Sequence, residues 1–189
     1  MILIIDNYDS FTYNIVQQVG KFTKKLEVVK NDEISINQII RMKYSHVIIS
    51  PGAGNPSNAG ESNNIIKHLF KKIPMLGVCL GHQVIGDVFK CQIKECSAIF
   101  HGKTSIVQQD GKSKLYKNVP LRFNAVRYHS LIIDNKNIHK DIIPNAWLDD
   151  GVIMGVEHKK YPLYGVQFHP ESISTRYGNQ IIKNFINIV

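Results

Sequence analysis

The segment Pro74-Met-Leu-Gly-Val-Cys79-Leu-Gly81-His-Gln83 places a cysteine between two glycines, as Gly77-x-Cys79-x-Gly81. This is the cysteine counterpart of a nucleophile elbow, in which an apolar strand turns sharply into a helix. Glycines on both sides let the backbone turn tightly, and the side chain between them projects from the first residues of the helix. The oriented N–H groups there favour a thiolate, the reactive form, and the N–H of Leu80 points where a tetrahedral oxyanion would form. A lone cysteine is more often a small buried hydrophobe, and Cys91 and Cys96 are read that way. The flanking glycines set Cys79 apart. Such a nucleophile needs a base that can later protonate a leaving amine, which suits histidine. Of the eight histidines, His169 stands directly after an apolar run in Tyr164-Gly-Val-Gln-Phe-His169-Pro170-Glu171. A carboxylate two residues on, held by Pro170, can bond one ring nitrogen and stabilise the imidazolium. His82 lies beside the cysteine but points down the helix and is given a structural role. His46, His68, His139 and His158 lack supporting context.

These residues sit where positioning elements are predicted to end. Ile2–Ile5, Leu26–Val29, His46–Ser50 and Pro74–Val78 read as buried strands, and Thr12–Lys21, Ile34–Met42, Asn63–Lys71 and Leu80–Phe89 as helices between them. The alternation implies right-handed crossovers and a mostly parallel sheet covered on both faces. From Ile99 to Pro144 the runs are shorter and turn-rich, with Gln109-Asp110-Gly111 predicted as a hairpin-like reversal. Ile153–His158 and Leu163–Phe168 alternate as an antiparallel pair, and Gly178–Ile188 reads as a closing amphipathic helix. Ligand chemistry in such sheets collects at the carboxyl ends of strands, and Cys79 and His169 fall there.

The 189 residues suffice for one compact domain, expected to span 1–189. Hydrophobic residues at 43% set disorder aside. The net charge of +8 raises nucleic-acid binding as a reading, but the lysines are scattered and no aromatic-basic repeat accompanies them. A lysine-rich solvated surface is preferred. Abundant Ile, Asn and Lys beside only four arginines suggest AT-rich coding, as in a plastid or a reduced bacterial genome. Three cysteines without a secretory leader point to a reducing compartment. No apolar run approaches a membrane span, and no CxxC spacing suggests a metal site. The expectation is a soluble, intracellular protein, cytoplasmic or in the plastid stroma, without nucleic-acid or membrane partners.

Gly77-Val-Cys79-Leu-Gly81-His-Gln83 together with Phe168-His169-Pro170-Glu171-Ser172 resembles the class I glutamine amidotransferase family. Asp6-Asn-Tyr-Asp-Ser-Phe-Thr-Tyr-Asn14, Ser50-Pro-Gly52-Ala-Gly54-Asn-Pro56, His101-Gly102-Lys103 and Arg127-Tyr-His129-Ser130-Leu131 narrow the resemblance to the glutaminase subunits of anthranilate synthase and aminodeoxychorismate synthase. It runs the length of the chain. It implies a three-layer, flavodoxin-like α/β fold with a mostly parallel central sheet, helices on both faces and a smaller antiparallel sheet. It also implies hydrolysis of glutamine through a cysteine thioester, with Cys79 as nucleophile, His169 as base and acid, and Glu171 as its orienter. Gly52, Ala53 and Gly54 form the oxyanion loop, where the N–H of Gly52 acts with that of Leu80. Gly54, Gln83, Ser130 and Leu131 hold the amino-acid end of glutamine. No metal or organic cofactor is implied. Ammonia would pass to a chorismate-utilising partner, component I of either synthase. Three positions depart from the family: Ala53 stands where proline is usual, and Lys90-Cys91 replaces a usual Gly-Gly after the nucleophile helix. A non-catalytic docking or regulatory subunit is the rival from another class.

Overall fold

The computed structural model describes residues 1–96 and 102–189; His101 of the His101-Gly102-Lys103 motif lies outside them. Four apolar runs form the parallel strands that the sequence predicts, β1 (Ile2–Asn7), β2 (Leu26–Lys30), β3 (His46–Gly52) and β4 (Met75–Val78), but β2, expected to be buried, is only half-buried because it is the edge of the sheet. Helices α1 (Thr12–Gly20), α2 (Ile36–Met42), α3 (Ser62–Leu69) and α4 (Leu80–Val88) connect or follow them. Helix α2 starts two residues later than Ile34, because Ser35 and Gln38 close a capping box at its N-terminus. The second half supplies β5 (Ile93–Glu95), β6 (Lys103–Gln109), β7 (Arg122–Arg127), β8 (Leu131–Ile133), β9 (Ile142–Trp147), β10 (Ile153–His158), β11 (Leu163–Val166) and α5 (Gly178–Ile186).

The main sheet has the order β2-β1-β3-β4-β11-β10-β9-β6-β7. It is parallel from β2 to β11, and β10, paired antiparallel to β11, begins an antiparallel extension through β9, β6 and β7. A separate small antiparallel sheet pairs β5 with β8. The reversal expected at Gln109-Asp110-Gly111 ends β6, with Gly111 at φ +73°. It does not make a tight hairpin: the chain runs through a 3₁₀ turn at Lys114–Tyr116 before β7 pairs back, Gln108 opposite Arg122.

Alternate residues of each central strand feed two cores. Ile2, Ile4, Ile48 and Leu76 pack with Ile15 and Val19 of α1 and Ile181, Ile182 and Phe185 of α5. Leu3, Ile5, Ile49 and Met75 pack on the other face with Ile39 of α2, Ile65, Ile66 and Leu69 of α3, and Val84 and Ile85 of α4. The i, i+3, i+4 spacing of those helical residues is the reason each helix lies flat on the sheet. The result is three layers, with β4 and β11 side by side at the centre.

Candidate active site

The turn at the end of β4 is sharp. Cys79 has φ +51° and ψ −99°, a strained conformation for a residue with a Cβ, and it caps the N-terminus of α4. The flanking glycines are required by space. A Cβ on Gly77 would meet the Gly81 carbonyl oxygen at 2.3 Å, and one on Gly81 would meet the Ile49 oxygen at 2.5 Å. Cys79 N–H donates to Val166 O at 2.8 Å, which stitches the turn to β11. The register Gly77↔Gly165 and Val78↔Val166 carries both strands forward together, so the residues after β4 and those after β11 emerge next to each other.

His169 emerges there. Its N–H donates to Val126 O at 3.0 Å. Its carbonyl accepts the Thr175 hydroxyl at 2.7 Å, and that hydroxyl in turn accepts Val126 N–H at 3.1 Å. The ring's Nδ1 lies 2.6 Å from Glu171 Oε1, and both side chains are buried. Phe11 and Tyr128 present their rings edge-on to the imidazole, with centroids at 6.0 and 5.1 Å. Nε2 is buried without a conventional hydrogen bond among the described residues. Burial disfavours charge on this ring, but the Cys79 sulfur and the Glu171 carboxylate outweigh it and raise the pKa to about 10. The triad expected from sequence is thus brought together as a thiol, an imidazole and a carboxylate in contact order.

A cavity of about 140 Å³ opens over Cys79. Gly52, Ala53 and Gly54 form one side, and Gln83, Ser130 and Leu131 the other. Leu80 is held against the loop, since a Cβ on Gly52 would meet Leu80 Cδ2 at 2.6 Å. Ala53 is exposed, and Gly54 has φ +89°. Every site residue expected from sequence therefore falls within one region. Asp6 and Asn7 of the N-terminal motif explain how the loop is held. Asn7 N–H donates to the Ser50 hydroxyl, and Asn7 Nδ2 donates to the Ser50 carbonyl, both at 2.9 Å. Asp6 accepts from Thr12, the Asp9 N–H and Lys30. Burial opposes the charge on Asp6, yet these donors hold its pKa below the usual carboxylate value.

Further residues in this region gain roles that their sequence context does not announce. His129 accepts from Arg127 Nε at Nε2 (3.0 Å), so its proton sits on Nδ1, which donates to Leu131 O at 3.1 Å. Burial and the Arg127 charge push its pKa down to about 3, so it stays neutral. Gln83 donates to the same carbonyl at 2.9 Å. Tyr128, its ring tilted against Phe11 with centroids at 5.3 Å, borders both the Cys79 cavity and a larger hollow of about 500 Å³ that His169 and Glu171 also line. Gln167 is fully buried, with its amide 3.7 Å from Cys79 Sγ. A polar residue inside an apolar strand just before a candidate base is the signal that could have marked Gln167. His82 is fully buried and kept neutral by burial, with a pKa pushed down to about 4, consistent with a structural role. Lys90 takes φ +59° at the end of α4, so the turn keeps a glycine-like shape despite the lysine. No cluster of metal-ligating side chains occurs among the described residues. No helix among them is long and apolar enough to cross a membrane.

The family model for glutamine amidotransferase class-I matches residues 3–189. The chain belongs to the class I glutamine amidotransferase family. Anthranilate synthase component 2 of Cyanophora paradoxa is 49% identical over 188 residues, covering 99% of this chain and 98% of that protein. Aminodeoxychorismate/anthranilate synthase component 2 of Bacillus subtilis is 44% identical, covering 98% and 95%. A Thermoplasma acidophilum structure, assigned provisionally to GMP synthase, superposes with a TM-score of 0.85 at 24% identity, over 98% of this chain and 91% of that one. The last likeness is one of fold. In this amidotransferase, the carboxyl ends of β4 and β11 are the places that present Cys79 and His169 to one another.

Proposed function

We propose that this chain is the glutaminase subunit of a chorismate-utilising synthase, with Cys79, His169 and Glu171 as its catalytic triad. The observation that carries this reading is the meeting of a strained cysteine at a helix N-terminus with a buried His169–Glu171 pair just past the end of the adjoining strand. The Cys79 thiolate attacks the carboxamide carbon of glutamine, and the oxyanion is received by the N–H groups of Gly52 and Leu80. The C–N bond breaks as the His169 imidazolium gives its proton to the departing nitrogen, leaving a thioester and ammonia. His169 then takes a proton from water, whose oxygen adds to the thioester carbon. The C–S bond breaks, glutamate leaves, and the thiolate is restored. Glu171 keeps the imidazole oriented and stabilises its charged form. Ala53 and Gly54 line the loop, while Gln83, Ser130 and Leu131 receive the amino-acid end of glutamine. The cycle uses no metal or organic cofactor from this chain, and its thiolate calls for a reducing compartment.

The relatives named for anthranilate synthase support anthranilate synthase component I as the partner and tryptophan synthesis as the pathway. The name of the B. subtilis relative supports aminodeoxychorismate, for folate, as a second product. The test is glutamate release by the purified chain, wild type beside Cys79→Ala, with and without each component I. Cys79-dependent release that rises with a synthase is the expected result, and the product identifies the pathway. If wild type releases no glutamate while bound to a synthase that runs on free ammonia, the chain is a docking subunit instead.

A further inference from the structure

Resting on the glutaminase reading, we infer that Gln167 holds the Cys79 thiolate in place, as the end of a three-residue amide relay that begins at the glutamine-binding strip. Gln167 is fully buried between the last residue of β11 and His169. Its side-chain partners among the described residues are two: Nε2 lies 3.7 Å from Cys79 Sγ, and Oε1 accepts Gln83 Nε2 at 3.2 Å.

The direction of this relay is fixed by chemistry. Leu131 contributes a backbone carbonyl, which only accepts, so the Gln83 group 2.9 Å from it must be the NH₂ end. That NH₂ has a second proton, and Gln167 must therefore offer its oxygen to Gln83. The Gln167 NH₂ is left facing sulfur. A turned Gln167 amide would set its oxygen against the thiolate and its NH₂ against the Gln83 NH₂, two repulsive contacts in place of two attractive ones. His129 Nδ1–H supplies the other donor to the Leu131 carbonyl and locks the origin of the relay.

The need for such a donor follows from burial. Cys79 is 6% exposed, so water contributes little to stabilising a thiolate there. The helix N-terminus and the His169 proton act from two sides, and Gln167 adds a donor from just past the end of β11. Because Gln83 and Leu131 also border the cavity over Cys79, the seating of the strip that receives glutamine and the aim of the sulfur are mechanically joined.

The experiment measures alkylation of Cys79 by iodoacetamide in the purified full chain, read by peptide mass so that Cys91 and Cys96 do not interfere. Gln167→Met keeps the unbranched length and removes the donor. Its Cys79 alkylation at neutral pH is expected to fall about tenfold, the low end for a hydrogen bond to a charged group. The alkylation profile should move to higher pH. With the synthase present, kcat should fall by a similar factor while KM for glutamine stays within about twofold of wild type. Gln83→Met, which leaves the packing beside Cys79 in place, should give a smaller fall by freeing the Gln167 amide. The double variant should alkylate no more slowly than Gln167→Met alone. Unchanged alkylation in Gln167→Met, additive losses in the double variant, or a rise in KM at unchanged kcat would each overturn the relay. Should Gln167→Met not fold, unchanged alkylation in Gln83→Met overturns it equally. Alkylation requires no glutamine, so a failure of the glutaminase reading shows separately, as wild type that alkylates but releases no glutamate.

Discussion

Mild acid should destabilise this protein through two histidines buried in the neutral state. His82 and His129 have folded pKa values pushed down to about 4 and about 3, whereas an unfolded histidine titrates near 6.5. Below that value the unfolded chain binds a proton that the folded chain refuses, so their contribution is complete above about pH 6.5 and is lost as pH falls. Between pH 7 and pH 5 each site costs about 2 kcal/mol, or about 4 kcal/mol together. His169 acts the other way. Its folded pKa is raised, so its contribution is complete only below the unfolded value, and it still gains about 1 kcal/mol on going from pH 7 to pH 5. His46 and His158, both lowered chiefly by burial, add to the loss. The net loss of about 3 kcal/mol is a large share of ordinary domain stability. With a urea dependence of roughly 2 kcal/mol per molar for a chain of this size, the unfolding midpoint should drop by about 1.5 M. Trp147, the single tryptophan, provides the fluorescence signal. Carboxylates such as Asp6 and Asp134, whose pKa values are lowered, keep their stabilising contribution through this window and lose it only at lower pH. Replacing His82 or His129 by Met should each remove about 2 kcal/mol of this loss, and the double variant should lose no stability between pH 7 and pH 5 on their account. An equal midpoint at pH 7 and pH 5, or the full effect surviving in the double variant, would refute the reasoning.

Other substitutions test the backbone around the site. Gly77→Ala forces a Cβ to within 2.3 Å of the Gly81 carbonyl oxygen; the expected cost is about 3 kcal/mol and a melting temperature lower by roughly 10 °C. Gly20→Ala, with open space around the added Cβ, should leave melting unchanged or slightly higher. Thr175→Val removes the hydroxyl that joins the His169 carbonyl to Val126 N–H. It should lower stability by about 2 kcal/mol in urea titrations and reduce kcat more than it alters KM.

Much of the site was legible because each part had a strong local cause. The glycines about Cys79 announced a turn that leaves no room for any other residue, the apolar run before Cys79 announced a buried strand of the parallel sheet, and the run before His169 announced a strand paired antiparallel to Ile153–His158. Strand order was less legible. The antiparallel pairing of β11 with β10 was legible, but nothing local in Leu163–Val166 says that its other edge joins β4. The segment after Gln109 carried the turn signal of a hairpin, but the detour through Leu115 and Tyr116 is driven by burial of those side chains. Gln167 stayed hidden because its partners Gln83 and Cys79 lie 84 and 88 residues away, and no periodicity encodes a single buried polar contact. The bonds of His129 to Arg127 and Leu131 are local, but its importance comes from a carbonyl it shares with Gln83, which reaches that carbonyl across 48 residues of chain.

The central position of β11 also sets an order of assembly. A chain emerging from the ribosome makes β4 and β10 before the strand that joins them, so both present open edges until residues 163–166 arrive. Pairing at β4 then closes the long loop between Val78 and Leu163, the kind of distant contact that folds slowly and leaves strand edges exposed to neighbours. The same event brings His169 to Cys79. Until it happens the cysteine has no base beside it, and the proposed hydrolysis of glutamine waits for the sheet to be complete.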